Sequence, residues 1–480
     1  MKGRPVQKLL CIARMDLRLF TRREFLSDSA YVAAWLGVGR RLAATTLPEA
    51  REITLTARET TVEISPGQTR TTWAYDGRVP GPEIRVREGE RVRITLRNEL
   101  PAPTSIHWHG VPVPNAMDGV AGVTQAPVSP GDSFTYEFDA SPAGTYFYHS
   151  HVGLQLDRGL YGPLIIEPRE DAGATADREY VLLLDDWLDI TPEQAFAELQ
   201  QRSPMRGGMM GGSDDPLYAA HLVNGRTGGL AAPLAVARGE RVRLRLINAG
   251  SATTFRVGLA GHRLTVTHAD GQRVRPIDVD TLVIGVGERY DVQFVAGNPG
   301  VWPLVAGSID SPLVSLVVPL VYERTLDSLR PVTVWPSELS RGRALRYVDL
   351  VPVERMMKPA PGVVQTIPIT LGSAMMGGYV WTINGQAYPN ADPIGLDPGA
   401  RVRLRVTNAT MMRHPLHLHG HFFTVRLPGQ TSGPAKDTVV VDPMASFDLD
   451  FVADNPGRWF FHCHHLYHME GGMARTLEYR

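Results

Sequence analysis

The sequence predicts an all-β protein built of three Greek-key β-sandwich domains, and three observations carry that prediction. The first is a strand-like segment that occurs three times: Gly89-Glu-Arg-Val-Arg-Ile-Thr-Leu-Arg-Asn98, Gly239-Glu-Arg-Val-Arg-Leu-Arg-Leu-Ile-Asn248 and Gly399-Ala-Arg-Val-Arg-Leu-Arg-Val-Thr-Asn408. Each alternates polar and apolar residues with period two, the pattern of a half-buried strand, and each is entered from a Gly turn. The second is a later repeat in the same three units, Pro142-Ala-Gly144-Thr-Tyr-Phe-Tyr148, Asn298-Pro-Gly300-Val-Trp-Pro-Leu304 and Asn455-Pro-Gly457-Arg-Trp-Phe-Phe461, where a tight turn leads into an aromatic strand. The third is punctuation: 47 Gly and 37 Pro separate short runs rich in Val, Leu, Thr and aromatics, with no convincing long amphipathic helix.

The repeat fixes the domain plan. Gly89, Gly239 and Gly399 stand 150 and then 160 residues apart, and 480 residues are too many for one ordinary core. We place a first domain at 46–170, a second at 171–325, a linker at 326–345 and a third domain at 346–480. Residues 203–215, rich in Gly and Met, read as a loop within the second.

Composition narrows the class of function. Hydrophobic residues at 43% and charged residues at 21% suit a soluble globular chain. Lys+Arg (49) and Asp+Glu (50) nearly cancel without long runs of one sign, so no nucleic acid or polybasic membrane partner is expected. Residues 1–45 read differently: Thr21-Arg22-Arg23-Glu24-Phe25-Leu26, an apolar stretch from Ala30 to Val38 and then Ala43-Ala44 have the form of a twin-arginine export signal. The apolar stretch is too short to span a bilayer, so an exported protein, periplasmic or extracellular, without a stable membrane anchor is expected. Met15 offers a later start. Cys11 falls inside that signal, leaving Cys463 alone in the mature chain with no partner for a disulfide, and a bound metal would occupy its thiol.

Histidines then fall at matched offsets from the repeats. Nine residues after Asn98 comes His107, with His109 two further on; nine after Asn408 come His417 and His419 in the same way. Five after Gly144 and Gly457 come His149 with His151 and His462 with His464. The middle unit has Val257, Leu259, Val305 and Gly307 at these offsets. With 15 His in 480 residues, random composition gives about half a His-x-His pair in the chain. Residues i and i+2 of a strand share a face, so each pair presents two imidazoles about 7 Å apart. Eight imidazoles from the outer domains exceed what one ion takes, which implies a cluster of about three metal ions at their interface.

Cys463 lies between His462 and His464 and so points to the opposite face of the strand. Two more imidazoles and a thioether would complete a blue-copper set, and His414, His468 and Met473 stand close by in sequence. One strand would then join a mononuclear site to the cluster, so that an electron entering at Cys463 has one peptide link to cross.

These motifs, His107-Trp-His109-Gly, His149-Ser-His151, His414-Pro-Leu-His417-Leu-His419 and His462-Cys463-His464-x3-His468-x4-Met473, make the chain resemble the three-domain multicopper oxidases over about residues 50–480. Thr104-Ser-Ile-His107-Trp-His-Gly110, Met117-Asp-Gly119 and His464-His-Leu-Tyr-His468-Met-Glu-Gly471 are similar to the periplasmic copper-resistance oxidases within that laccase-like family. The resemblance implies three cupredoxin-like domains and four coppers per chain. It places type 1 copper on His414, Cys463, His468 and Met473, type 2 on His107 and His417, and a type 3 pair on His109, His149, His151, His419, His462 and His464. Asp118 is similar in position to the family's proton-delivering acid. Glu470 is a second candidate acid, displaced by one because Met469 directly follows His468.

The implied activity is one-electron oxidation of a reducing substrate coupled to four-electron reduction of O2. Cu(I), phenols and Fe(II) are the candidate donors, with a role in copper tolerance set against a broad laccase without one, or a non-enzymatic copper-binding export protein. Met205, Met209 and Met210, Met375-Met376 and Met411-Met412 favour Cu(I), because thioethers in Gly-rich loops have little core to fill. His221, His262, His268, His421 and His465 match no required slot and read as structural or surface groups, with His421 continuing the face of His417 and His419.

Overall fold

The alternating segments form the strands their pattern dictates. In Arg91–Asn98 the residues Val92, Ile94 and Leu96 are buried while the arginines between them face outward. Arg241–Asn248 and Arg401–Asn408 repeat the arrangement. The computed structural model of the chain describes residues 50–169, 176–201, 215–323, 331–354, 364–374, 378–427 and 433–480. The twin-arginine segment, Met205, Met209, Met210, Met375 and Met376 lie outside the described residues.

Six sheets assort into three pairs, each pair enclosing its own apolar core, as three cupredoxin-like sandwiches require. The repeated strand has the same neighbours each time. It runs parallel to the first long strand of its unit, with Ile53 opposite Ile94, Leu182 opposite Leu246 and Ile369 opposite Val406. On its other edge it pairs antiparallel with Ser133–Asp139, Arg289–Val295 or Ser446–Val452. A parallel pair cannot be closed by a hairpin, so the chain crosses to the second sheet of the sandwich between its members.

The closing Asn of each repeat has a structural reason. Asn98 Nδ2 donates to Ala102 O and Val128 O at 2.9 and 2.8 Å while its Oδ1 accepts from Leu100 N at 3.0 Å. Asn248 and Asn408 make the equivalent bonds. A buried amide with its hydrogen bonds met pins the loop that follows, and in the outer units that loop delivers the first His pair.

Helix is scarce among the described residues but not absent. A ten-residue helix, Pro192–Gln201, which the sequence reading passed over, buries Ala195 and Leu199 against Leu154, Leu466 and Tyr467. The expected linker packs firmly where it is described: Leu339 and Leu345 are buried against the middle unit, and Arg343 O accepts from Asp280 N at 2.8 Å. No described helix is long and apolar enough to cross a membrane.

Candidate metal centre

Strand register brings the His pairs together. His107 stands opposite His149 where His107–His109 pairs with Gly144–His149, and His417 stands opposite His462 where His414–Leu418 pairs with Arg458–Cys463. The first and third units then meet ring to ring. His107 stacks on His419 and His109 on His417, each with centroids 3.9 Å apart. All eight paired imidazoles are buried in one place. At the same offsets the middle unit buries Val257, Leu259 and Val305 as ordinary core.

The ring nitrogens sort into outer and inner atoms. Outward, His107 Nδ1 donates to Asp118 O, His149 Nδ1 to Ser150 O, His417 Nδ1 to Asp437 O and His462 Nδ1 to Cys463 O, all at 2.9 Å. His419 Nδ1 donates to Asp118 Oδ2 at 3.0 Å. Each such bond fixes the tautomer and turns the other nitrogen's lone pair inward. There, His107, His149, His151 and His417 Nε2 have no hydrogen-bond partner although buried. His419 Nε2 faces His462 Nε2, and His109 Nδ1 faces His464 Nε2, both at 3.1 Å. Three triads, His107/His109/His417, His109/His149/His464 and His151/His419/His462, each keep their donor atoms within 4.8 Å of one another.

Burial, and then the neighbouring imidazoles, lower His109, His151, His417, His419 and His464 well below the ordinary histidine range, and burial takes His462 to about 3. Buried neutral lone pairs left without partners are costly, and metal cations are what satisfies such a set.

On the other face of the strand, Cys463 Sγ lies 3.6 Å from His414 Nδ1 and 3.7 Å from His468 Nδ1, which are 3.1 Å apart. Burial raises the thiol and lowers His414 to about 3, so without a metal both groups stay neutral. Met473 is buried in the same core as Cys463, and its carbonyl accepts from Cys463 N at 3.0 Å. Trp381 covers the imidazoles, its ring 4.1 Å from that of His468 and 5.2 Å from that of His414. One sulfur, two imidazoles and a nearby thioether in a dry pocket fit copper.

Of the two candidate acids, only Asp118 joins this assembly. Its Oδ1 is buried, 3.2 Å from His107 Nδ1, and accepts no hydrogen bond. The adjacent Gly119 has φ +83°, and a Cβ there would collide with the Ile106 carbonyl. Gly119→Ala should therefore cost about 2 kcal/mol or more in denaturant titration, whereas Gly122→Ala, at φ +75° with open space around it, should cost about 1 kcal/mol. Glu470 ends the short helix Leu466–Glu470 at the surface; the protein packed around it raises its carboxyl, but its exposure sets it apart from the buried imidazoles.

Several residues behind the imidazoles escaped the sequence reading. Asp437 Oδ1 lies 3.2 Å from His109 Nε2, and Arg289 of the middle unit pairs with Asp437 through both oxygens at 2.6 and 2.5 Å. A Cβ on Gly287 would come within 3.0 Å of His109 Cε1. None of these sits at a repeated offset, so no pattern marked them. His465 proves to be buried: its ring stacks on His468 at 3.7 Å and its Nε2 lies 2.6 Å from Asp215 Oδ1. His421 is structural. Its Nε2 meets Tyr479 Oη at 2.7 Å as His262 Nε2 meets Tyr322 Oη at 2.6 Å in the middle unit, which has no His pair at the matched offsets.

Comparison with known proteins places this geometry. Family models described as multicopper oxidase match residues 56–171, 178–317 and 363–480. The chain is 38% identical to multicopper oxidase MmcO of Mycobacterium tuberculosis over 89% of its length and 86% of the relative's. It is 29% identical to a copper resistance protein A homolog of Pseudomonas syringae pv. tomato, over 89% and 92%. The crystal structure of the laccase from Botrytis aclada superposes with a TM-score of 0.77 at 27% identity, over 89% of this chain and 87% of that one. Three matched segments spanning the three sandwiches, and buried nitrogen and sulfur donors that suit copper, agree: the chain belongs to the multicopper oxidases and is a copper-dependent oxidoreductase.

Proposed function

We propose that the exported chain oxidises Cu(I), and phenols as further donors, with O2 as acceptor, and so serves copper tolerance. The observation that carries this reading is the segment Arg458 to His464, which turns the Cys463 sulfur toward one set of donors and the His462 and His464 imidazoles toward another. In this reading His414, Cys463, His468 and Met473 hold a type 1 copper. His107 and His417 hold a type 2 copper, and His109, His149, His151, His419, His462 and His464 hold a type 3 pair, four ions in all. Copper held by these residues would supply one-electron transfer at the sulfur site and, at the imidazole cluster, reduction of O2 by four electrons and four protons to two waters. Domain limits at 46–170, 171–325 and 346–480 and a twin-arginine leader at 1–45 complete the reading.

The chain's own groups define the rest of the chemistry. Trp381 keeps water from His414 and His468. Asp118 Oδ1, buried beside His107 without a hydrogen bond, is the atom through which a proton passes to reduced oxygen in this reading. Glu470, at the surface, is a second proton donor in this reading.

Support for Cu(I) comes from exposed thioethers beside the sulfur site. Met411 and Met444 are 78% and 67% exposed. Asn408 ties their two loops together by donating to Met412 O and Asp442 O at 2.8 and 3.0 Å. Soft sulfur at the surface suits a cuprous ion and has no packing role there. Turnover of Cu(I), Fe(II) and a phenol by copper-loaded protein tests the assignment. Deleting residues 205–212 should lower Cu(I) turnover about tenfold, the equivalent of about 1.4 kcal/mol of docking, and leave phenol turnover unchanged. Unchanged turnover of both donors would show that the loop gathers no copper.

A further inference from the structure

Among the described residues the middle unit carries Val257, Leu259, Val305 and Gly307 where the outer units carry paired histidines, yet its charged side chains reach toward those histidines. Arg289 begins the strand Arg289–Val295, and its guanidinium is fully buried. Nη1 and Nη2 donate to Asp437 Oδ1 and Oδ2 at 2.6 and 2.5 Å, and Nε donates to Thr145 O at 3.1 Å, on the strand that carries His149. A planar fork held on both oxygens of one carboxylate is the geometry in which a buried ion pair is most sharply oriented.

Asp437 in turn faces two imidazoles, one from each outer unit. Its Oδ1 lies 3.2 Å from His109 Nε2 and 3.6 Å from His417 Nδ1. Thr438 Oγ1 donates to that same oxygen at 2.8 Å, which leaves the hydroxyl free to accept from His109 Nε2 at 3.0 Å and His417 Nδ1 at 3.1 Å. A paired carboxylate only accepts, so His109 keeps its proton on Nε2, while His417 keeps its own on Nδ1, where the Asp437 carbonyl accepts it at 2.9 Å. The nitrogens turned inward are then His109 Nδ1 and His417 Nε2, and the two rings stack 14° from parallel.

A second layer holds the first. Lys436 Nζ lies 3.0 Å from both Asp270 Oδ2 and Glu288 Oε1. Asp270 also accepts from Arg289 N at 2.9 Å and Thr438 N at 3.2 Å. Burial works against the Lys436 charge, but Asp270 and Glu288 overcome it and hold the ammonium charged. Lys436, Asp437 and Thr438 of the third unit thus interlock with Asp270, Glu288 and Arg289 of the middle unit.

We infer that Arg289 and Asp437 are positioning residues for the cluster: the middle unit, through this ion pair, sets the tautomer of His109 and holds in place the Asp437 carbonyl and Thr438 hydroxyl that orient His417, and so governs retention of the type 2 ion at His417 and of the type 3 ion at His109. The inference rests on the proposed reading of the imidazoles as a copper cluster. Without its arginine, the Asp437 carboxylate loses the fork that aims Oδ1 at His109 and anchors the segment that also carries the Asp437 carbonyl and Thr438 hydroxyl facing His417.

The test uses full-length copper-loaded protein and the variants Asp437→Asn, Arg289→Met and the double variant, which leaves no buried charge unpaired. Copper content and type 2 electron paramagnetic resonance are followed during titration with a copper chelator, with visible absorbance reporting the sulfur site and melting of the apoprotein reporting the fold. All three variants should lose the type 2 signal at a chelator concentration at least about tenfold lower than wild type, with changed hyperfine splitting and an unchanged visible band. The double variant should melt close to wild type as the apoprotein. Wild-type chelator sensitivity and splitting in Asp437→Asn and the double variant would overturn the inference, as would joint loss of both copper signals in proportion to apoprotein destabilisation. Wild-type protein that takes up no cluster copper would instead refute the underlying assignment.

Discussion

Cys463→Ser should abolish the intense visible absorbance and reduce turnover of every electron donor by on the order of 10³-fold, about 4 kcal/mol of barrier. The side chain is fully buried, and its thiol lies 3.6 and 3.7 Å from the imidazoles of His414 and His468. A serine hydroxyl is harder, does not ionise there, and leaves an O–H in an apolar pocket at about 1–3 kcal/mol. The eight paired imidazoles lie on the other face and keep their outer hydrogen bonds, so copper bound among them should persist in the variant. A blue band surviving the substitution would show that the sulfur is not a ligand.

Asp118→Asn should slow reoxidation by O2 about 10²-fold, within the range of a general acid, while reduction of the sulfur site stays fast. The amide has the same shape, and its oxygen still accepts from His419 Nδ1, so the fold and the ring positions are retained. What it loses is a group able to hold and release a proton at Oδ1. Stopped-flow measurement of the two half-reactions separates these effects. Equal slowing of both would assign Asp118 to holding the imidazoles rather than to moving protons.

The parts of this molecule that repeat were legible in its sequence, and the parts that pack across units were not. Period-two alternation marked Arg91–Asn98, Arg241–Asn248 and Arg401–Asn408 as strands, because a sandwich strand must turn alternate residues inward. Matched offsets from those strands located all eight paired histidines, and the strand's two faces separated Cys463 from His462 and His464. Asp118 was visible because it adjoins a motif. Arg289, Asp270, Glu288 and Lys436 were invisible because nothing local gives a lone charged residue its destination; only docking of the middle and third units brings Lys436 within 3.0 Å of Asp270. Whether His465 was a structural or a surface group was open for the same reason: its stacking on His468 depends on the turn into the helix Leu466–Glu470, which alternation does not encode. Helix Pro192–Gln201 is short and buries few residues, too little for periodicity to reveal.

The measurement that bears most directly on the central claim is copper stoichiometry taken together with the absorption spectrum of purified, copper-loaded protein. One strand that presents sulfur to one side and imidazoles to the other predicts four coppers per chain, an intense blue band from the Cys463 site and a near-ultraviolet shoulder from the imidazole cluster. Saturation at one or two coppers, or four coppers without the blue band, would contradict it.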